Sequence, residues 1–291
     1  MAISSTTLGP FEIFSIEAGH FRLDGGSMFG VVPKTLWEPK IPADDKNRIP
    51  MSMRCLLIKS NETDRLYLID NGSGSKFNEK MTEIYQLDYS QNSLLGSLNS
   101  CAVSADELTD MVFTHLHFDH CGGTTYYENG EEIRHQFPNA RYWVNRRHLE
   151  TALHPNAREK ASFMKDNIEP IAGSDRLTIT EDYHIFEKGF YTIPADGHTI
   201  GQQLPVLEAE DKKIVYAADL IPTHAHIPLP WVMGFDMAPL QTLKEKETFL
   251  KKAIDENWFL FLEHDREHEL ITVKKENGKY SMGESLTLDE I

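Results

Sequence analysis

The chain has 291 residues, 40% hydrophobic and 25% charged, which is apolar material enough for one large domain or two small ones and unlike a disordered or collagen-like composition. Lys and Arg number 29 against 45 Asp and Glu, a formal net charge of −16. A balance of that sign repels phosphate backbones and anionic membranes, so neither nucleic acid nor membrane is an expected partner.

Cys55, Cys101 and Cys121 are too few and too oddly spaced for a disulfide framework or a CxxC zinc site, and they fit a reducing compartment. Residues 1–19 lack the basic region and apolar run of a signal peptide. No apolar run approaches the roughly 20 residues of a spanning helix, so a cytoplasmic location is expected.

In chain order, residues 54–59 and 65–70 read as two strands joined by a turn at Asn61-Glu62-Thr63-Asp64. Gly72 and Gly74 break the second strand, and a helix is expected over 76–85. Ser104 caps a short acidic turn before a buried strand at 111–113. A strand over 141–144 precedes helices over 146–153 and 156–168. Further strands are expected at 183–186, 190–193, 203–207 and 213–217, then a helix over 240–255 and an aromatic strand at 258–262, buried on both faces. Two strand sets punctuated by helices predict two sheets packed face to face with helices outside.

The densest chemistry lies in Thr114-His115-Leu116-His117-Phe118-Asp119-His120-Cys121-Gly122-Gly123. Period-two alternation at a strand end puts His115 and His117 on one side, and the turn permitted by the glycines brings Asp119 and His120 round to them. Neutral imidazoles and carboxylates are ligands for zinc and similar metals. A dinuclear site needs more, and the chain offers three at expected strand ends: His198 in Gly197-His198-Thr199, Asp219 after Ile214-Val215-Tyr216-Ala217-Ala218, and His264 in Glu263-His264-Asp265. Cys121 reads as a packing residue.

With those motifs in that order, the sequence resembles the metallo-β-lactamase superfamily over roughly residues 53–265. The resemblance implies an α+β fold, an αββα sandwich of two mixed sheets, in a single domain spanning 1–291 with residues 1–50 as an N-terminal extension. It implies two Zn²⁺ ions: one held by His115, His117 and His198, the other by Asp119, His120 and His264, with Asp219 bridging. Asp70, in Leu68-Ile69-Asp70-Asn71-Gly72, matches a strand end that supports the cluster loop. Finer features are similar to the branch of N-acyl homoserine lactonases and methyl parathion hydrolases: the cluster itself, the stretch 219–226, Trp231, Asp236, Glu263-His264-Asp265 and the stretch 28–37.

By that likeness the expected activity is lactone opening, most of all of N-acyl homoserine lactones, by attack of a metal-bridging hydroxide, with Asp119 relaying a proton to the leaving alkoxide. Many lactonases of this fold carry a tyrosine three residues after the bridging aspartate; here that position is Pro222. His224 or His226 is expected to take over its contact with the substrate carbonyl. The alternatives are an arylesterase or organophosphate hydrolase, and a non-catalytic sensor on the same fold. A glyoxalase-II-type thioesterase lacks its basic tail here. Residues 28–37 read as a loop that lines an acyl pocket, or else as core or a contact with a second copy in a homodimer.

Overall fold

The structure, a computed structural model, describes residues 3–291; Met1 and Ala2, part of the stretch examined above for a leader, lie outside it. One seven-stranded sheet runs in the spatial order Ser5–Leu8, Phe11–Asp24, Arg48–Ser60, Leu66–Ile69, Asp110–Val112, Arg141–Asn145, Leu177–Thr180. Its first four strands pair antiparallel and the rest parallel. The other runs His184–Glu187, Phe190–Ala195, Gln202–Ala209, Lys212–Tyr216, Phe259–Phe261, Leu270–Glu276, Lys279–Leu286. Only Lys212–Tyr216 and Phe259–Phe261 pair parallel in it, and the helix Pro239–Asp255 makes the crossover that such a pairing needs.

Alternation along the strands of the first sheet divides their side chains between two cores. Leu56, Ile58, Tyr67, Ile69 and Val112 enter the layer between the sheets, against Leu204, Val206, Ile214 and Leu260. Cys55, Leu57, Leu68 and Met111 point the other way, under the helices that supply Leu98, Ala152 and Ile168. The expected sandwich, two mixed sheets with helices outside, is therefore the observed architecture. Among the described residues no helix is long and apolar enough to cross a membrane.

Several local expectations change. The strands Ser5–Leu8 and Phe11–Asp24, and the hairpin Leu270–Glu276 with Lys279–Leu286, were not anticipated. In the hairpin, Asn277 and Gly278 both take positive φ, the turn chemistry that two-residue loops require. The helix expected over 156–168 is instead a single turn, Lys160–Ser162, and a helix Lys165–Ala172, because Phe163 and Met164 are extended between them. Pro170 sits inside that helix without an N–H, and the carbonyl of Asp166 four residues back takes the Thr125 hydroxyl at 3.0 Å. The helix expected over 76–85 starts only at Glu79, capped by Asn78. Residues 28–37 are not a loop: the short helices Gly25–Phe29 and Lys34–Trp37 occupy most of them. Phe29 stacks between Trp37 and His226, while Val31 is 91% exposed.

Arg54 ties the two sheets together beneath the loops. Its Nη1 donates to the carbonyls of Leu262 at 2.7 Å, Asp265 at 2.9 Å and His268 at 3.3 Å. Lys246, on the crossover helix, is buried and donates to the carbonyls of Pro228 at 3.1 Å and Trp231 at 2.9 Å. Burial pushes its pKa down from 10.5 to about 7.

Two predictions follow from these buried cations. Arg54→Met leaves buried carbonyls unpaired and lowers unfolding stability by about 3 kcal/mol in urea melts. For Lys246 the unfolded chain binds the proton more tightly, so burying it costs stability below about pH 7, and that cost fades as the pH rises toward 10.5. The stability of the wild type relative to Lys246→Met therefore increases across that window; a flat difference contradicts the assignment.

Candidate metal centre

The cluster loop starts one residue beyond the strand Asp110–Val112 and is fixed before any ligand is reached. Asp70, fully buried with φ of 54°, accepts the Thr114 N–H at 2.9 Å and the Thr114 hydroxyl at 2.6 Å. Its support of the loop matches the role the resemblance implied. His117 then stands just before a single helical turn, Phe118–Cys121, that carries Asp119 and His120. A Cβ on Gly122 would lie 2.1 Å from the Ser73 carbonyl oxygen, and one on Gly123 would lie 2.3 Å from that of Asn71, so only glycines let the loop close onto 71–73. Lys76 completes the clamp by donating from Nζ to the carbonyls of Gly122 at 2.6 Å and Thr125 at 2.5 Å.

Onto this loop the second sheet delivers the remaining groups. His115, His117, His198 and Asp219 each place one donor atom within 4.8 Å of the others, and so do Asp119, His120 and His264. All seven are buried. Asp219 lies between the groups: its Oδ2 is 3.1 Å from His198 Nε2, 3.7 Å from His120 Nε2 and 3.8 Å from His115 Nε2, and its Oδ1 is 3.2 Å from His264 Nε2.

The outer nitrogen of each imidazole meets an oxygen. His115 Nδ1 is 3.0 Å from Thr114 Oγ1, whose own proton goes to Asp70. His117 Nε2 faces Glu159 Oε1 at 3.2 Å, and His198 Nδ1 faces Asp236 Oδ1 at 3.1 Å. His264 Nδ1 faces the Ser52 carbonyl at 2.9 Å, and His120 Nδ1 lies 3.1 Å from Asp70 and 3.0 Å from Glu263. In each neutral ring these oxygens take the ring proton outward, which leaves the inner nitrogen a lone pair for a ligand. Yet His117 Nδ1 and His198 Nε2 are 3.1 Å apart, His120 Nε2 and His264 Nε2 are 3.2 Å apart, and His115 Nε2 is buried with no hydrogen-bond partner. Lone pairs held this close repel unless a shared proton or a metal cation lies between them. The donor set of five imidazoles and two carboxylates, each imidazole braced from outside, therefore fits a pair of divalent metals.

The charges divide between the rings: burial opposes a proton on His198 and His264, but Asp219 raises their pKa values to about 10 and about 9, a positive charge that bound cations would take over. Burial and neighbouring imidazoles hold His115 well below its ordinary pKa, and burial lowers His117. Burial opposes ionisation of Asp219, but His198, His264 and His120 hold it well below the usual carboxylate range. Burial pushes the Glu263 carboxyl up to about 7.

A cavity of about 330 Å³ opens over the cluster. His117, Asp119, His198, Asp219 and His264 line it, together with Leu23, Met28, Met51, Met233, Phe235, Tyr85 and Arg158. Met28 thus places part of the N-terminal stretch at the site. His224 and His226 are not among the lining residues and need correcting as carbonyl contacts. His224 is drawn aside by Asp265, whose Oδ2 lies 2.6 Å from its Nδ1. His226 is buried between Thr223 Oγ1 at 2.7 Å and the Met28 carbonyl at 2.9 Å. Sequence reasoning missed Glu159 and Arg158, which it placed without a role in the helix expected over 156–168, and also Tyr85; Tyr85 and Arg158 reach the cavity from outside the motifs.

The family model of the metallo-beta-lactamase superfamily matches residues 54–264. N-acyl homoserine lactonase AiiA of Bacillus thuringiensis subsp. kurstaki is 28% identical over 194 residues, 65% of this chain; the match spans 66% of that relative's length. A probable metal-dependent hydrolase from Staphylococcus aureus superposes with a TM-score of 0.84 at 27% identity, covering 97% of this chain and 100% of its own. AidC, a dizinc quorum-quenching lactonase, superposes with a TM-score of 0.80 over 98% of each chain; at 23% identity that likeness speaks for the fold alone.

The outer oxygens set ligand orientation and basicity, so Glu159→Gln and Asp236→Asn should each weaken zinc binding about ten- to hundredfold. Competition with a chromophoric chelator measures this; unchanged affinity in both variants contradicts the bracing role.

Proposed function

Because the chain belongs to the metallo-β-lactamase superfamily, we propose that it is a dinuclear zinc hydrolase that opens lactones, N-acyl homoserine lactones first among them, in the cytoplasm. The observation that carries this reading is the convergence of seven buried ligand residues, in two adjoining groups with Asp219 between them, at the floor of a cavity with apolar walls. His115, His117 and His198 would hold one metal, Asp119, His120 and His264 the other, and Asp219 both. Two divalent cations there supply the Lewis acidity that makes water a nucleophile near neutral pH and polarises a carbonyl oxygen.

The chain's own residues do the rest. Leu23, Met28, Met51, Met233 and Phe235 give an acyl chain a water-poor wall, and methionines adapt to chains of different shape. Asp119 lines the cavity and is buried beside His120 and His264, so its carboxylate can take a proton and pass it to the alkoxide released as the ring opens. Tyr85 stacks on Phe118, and burial and then Asp119 raise its pKa, so it stays protonated. We assign to its hydroxyl the carbonyl contact that Pro222 lacks.

The alternative is an arylesterase or organophosphate hydrolase, favoured by Pro222 itself, which leaves the loop after Asp219 without a hydroxyl at that position. Protein loaded with two zinc equivalents should open N-acyl homoserine lactones in a pH-indicator assay, with kcat/KM above that for a paraoxon-like triester. The reverse order selects the alternative, and inertness toward lactones, aryl esters and triesters sinks the hydrolase reading. Tyr85→Phe should lower kcat/KM for lactones by about tenfold or more, as loss of an oxyanion donor does.

A further inference from the structure

A third group of potential ligands lies apart from the two on either side of Asp219. His224, Asp265 and His268 each offer one donor atom, all within 4.8 Å of one another. They come from separate stretches of chain: His224 opens the single turn His224–His226 that follows the loop of Asp219, while Asp265 and His268 stand between His264 and the strand Leu270–Glu276.

The carboxylate is held in a fixed pose. Asp265 is 2% exposed, and its Oδ1 accepts the backbone N–H groups of Glu267 and His268, both at 2.9 Å. Its Oδ2 accepts the His224 N–H at 2.7 Å and lies 2.6 Å from His224 Nδ1. The two imidazoles meet edge to face, with ring centroids 4.6 Å apart. His268 Nδ1 is steadied by Ser285 Oγ at 2.7 Å, on the strand Lys279–Leu286. Both histidines are half-buried, so water can reach the cluster.

We propose that His224, Asp265 and His268 form a third metal site, for a borderline divalent cation such as Zn²⁺. Two imidazoles and one carboxylate suit zinc, nickel, cobalt or copper rather than magnesium or calcium, which prefer all-oxygen sites. With three protein ligands and solvent nearby, water completes the coordination, and the affinity is lower than at the buried pair. A cation here joins the loop that carries Asp219 to the loop that carries His264, which gives it leverage on the central pair without entering the cavity. It uses none of the seven central ligands, so it stands independently of the substrate assignment.

The test counts zinc per chain by mass spectrometry, in protein equilibrated at micromolar free zinc, for the wild type, His268→Ala and His268→Asn; circular dichroism confirms that each is folded. His268→Asn keeps a polar group beside Ser285 and removes the imidazole, so it serves if the alanine variant fails to fold. One zinc fewer in the folded variants than in the wild type is the expected result. Equal counts overturn the proposal, and so does a loss of more than one, because the cluster would then not be separate from the central pair. A wild type that keeps fewer than two zinc ions counts instead against the dinuclear centre.

Discussion

Close contact between inward-facing imidazole nitrogens is the constraint around which the molecule is arranged. His117 and His198, and His120 and His264, bring ring nitrogens to 3.1 and 3.2 Å at the buried floor of the cavity. Every one of these rings is turned by an oxygen on its far side, so the approach is imposed by the scaffold. Burial of unpaired polar atoms costs on the order of 1–3 kcal/mol apiece. His115 Nε2 and Asp219 Oδ1 are both buried in this cluster without a hydrogen-bond partner, a donor set that fits cations.

Each layer of the architecture contributes to holding that arrangement. The first sheet leads into the cluster loop, and Asp70 holds its start at Thr114 while Lys76 holds its end at Gly122 and Thr125. The second sheet brings Asp219 and His264 from its parallel pair, where neighbouring strands run in the same direction and end at the same edge. Arg54 reaches from the first sheet to the carbonyls of Leu262 and Asp265 on either side of His264, so the two halves of the site are registered by one buried guanidinium. Apolar packing between the sheets supplies stability, while a few charged groups supply position.

Much of this was legible in the sequence because ligands are local signals. The run 115–120 is dense, and His198, Asp219 and His264 each follow an apolar strand. The groups that orient the ligands were harder to see. Glu159 and Asp236 are ordinary acidic residues in irregular segments, and only tertiary proximity assigns them to His117 and His198. His224 shows the opposite failure. Its position in the chain suggested the cavity, but Asp265 captures its ring and backbone together, a contact between residues 41 positions apart. The N-terminal strands escaped notice because the long strand Phe11–Asp24 is interrupted between Glu17 and His20 by a register shift that disrupts its alternation.

The most direct test is an anomalous difference map recorded at the zinc edge from crystals grown with zinc. Two peaks are predicted at the central cluster, apart from any at His224, Asp265 and His268: one within about 2.0–2.3 Å of His115, His117, His198 and Asp219, the other at similar range from Asp119, His120, His264 and Asp219. A map with no peak among these atoms, or with His198 or His264 rotated out of the cluster, would contradict the account.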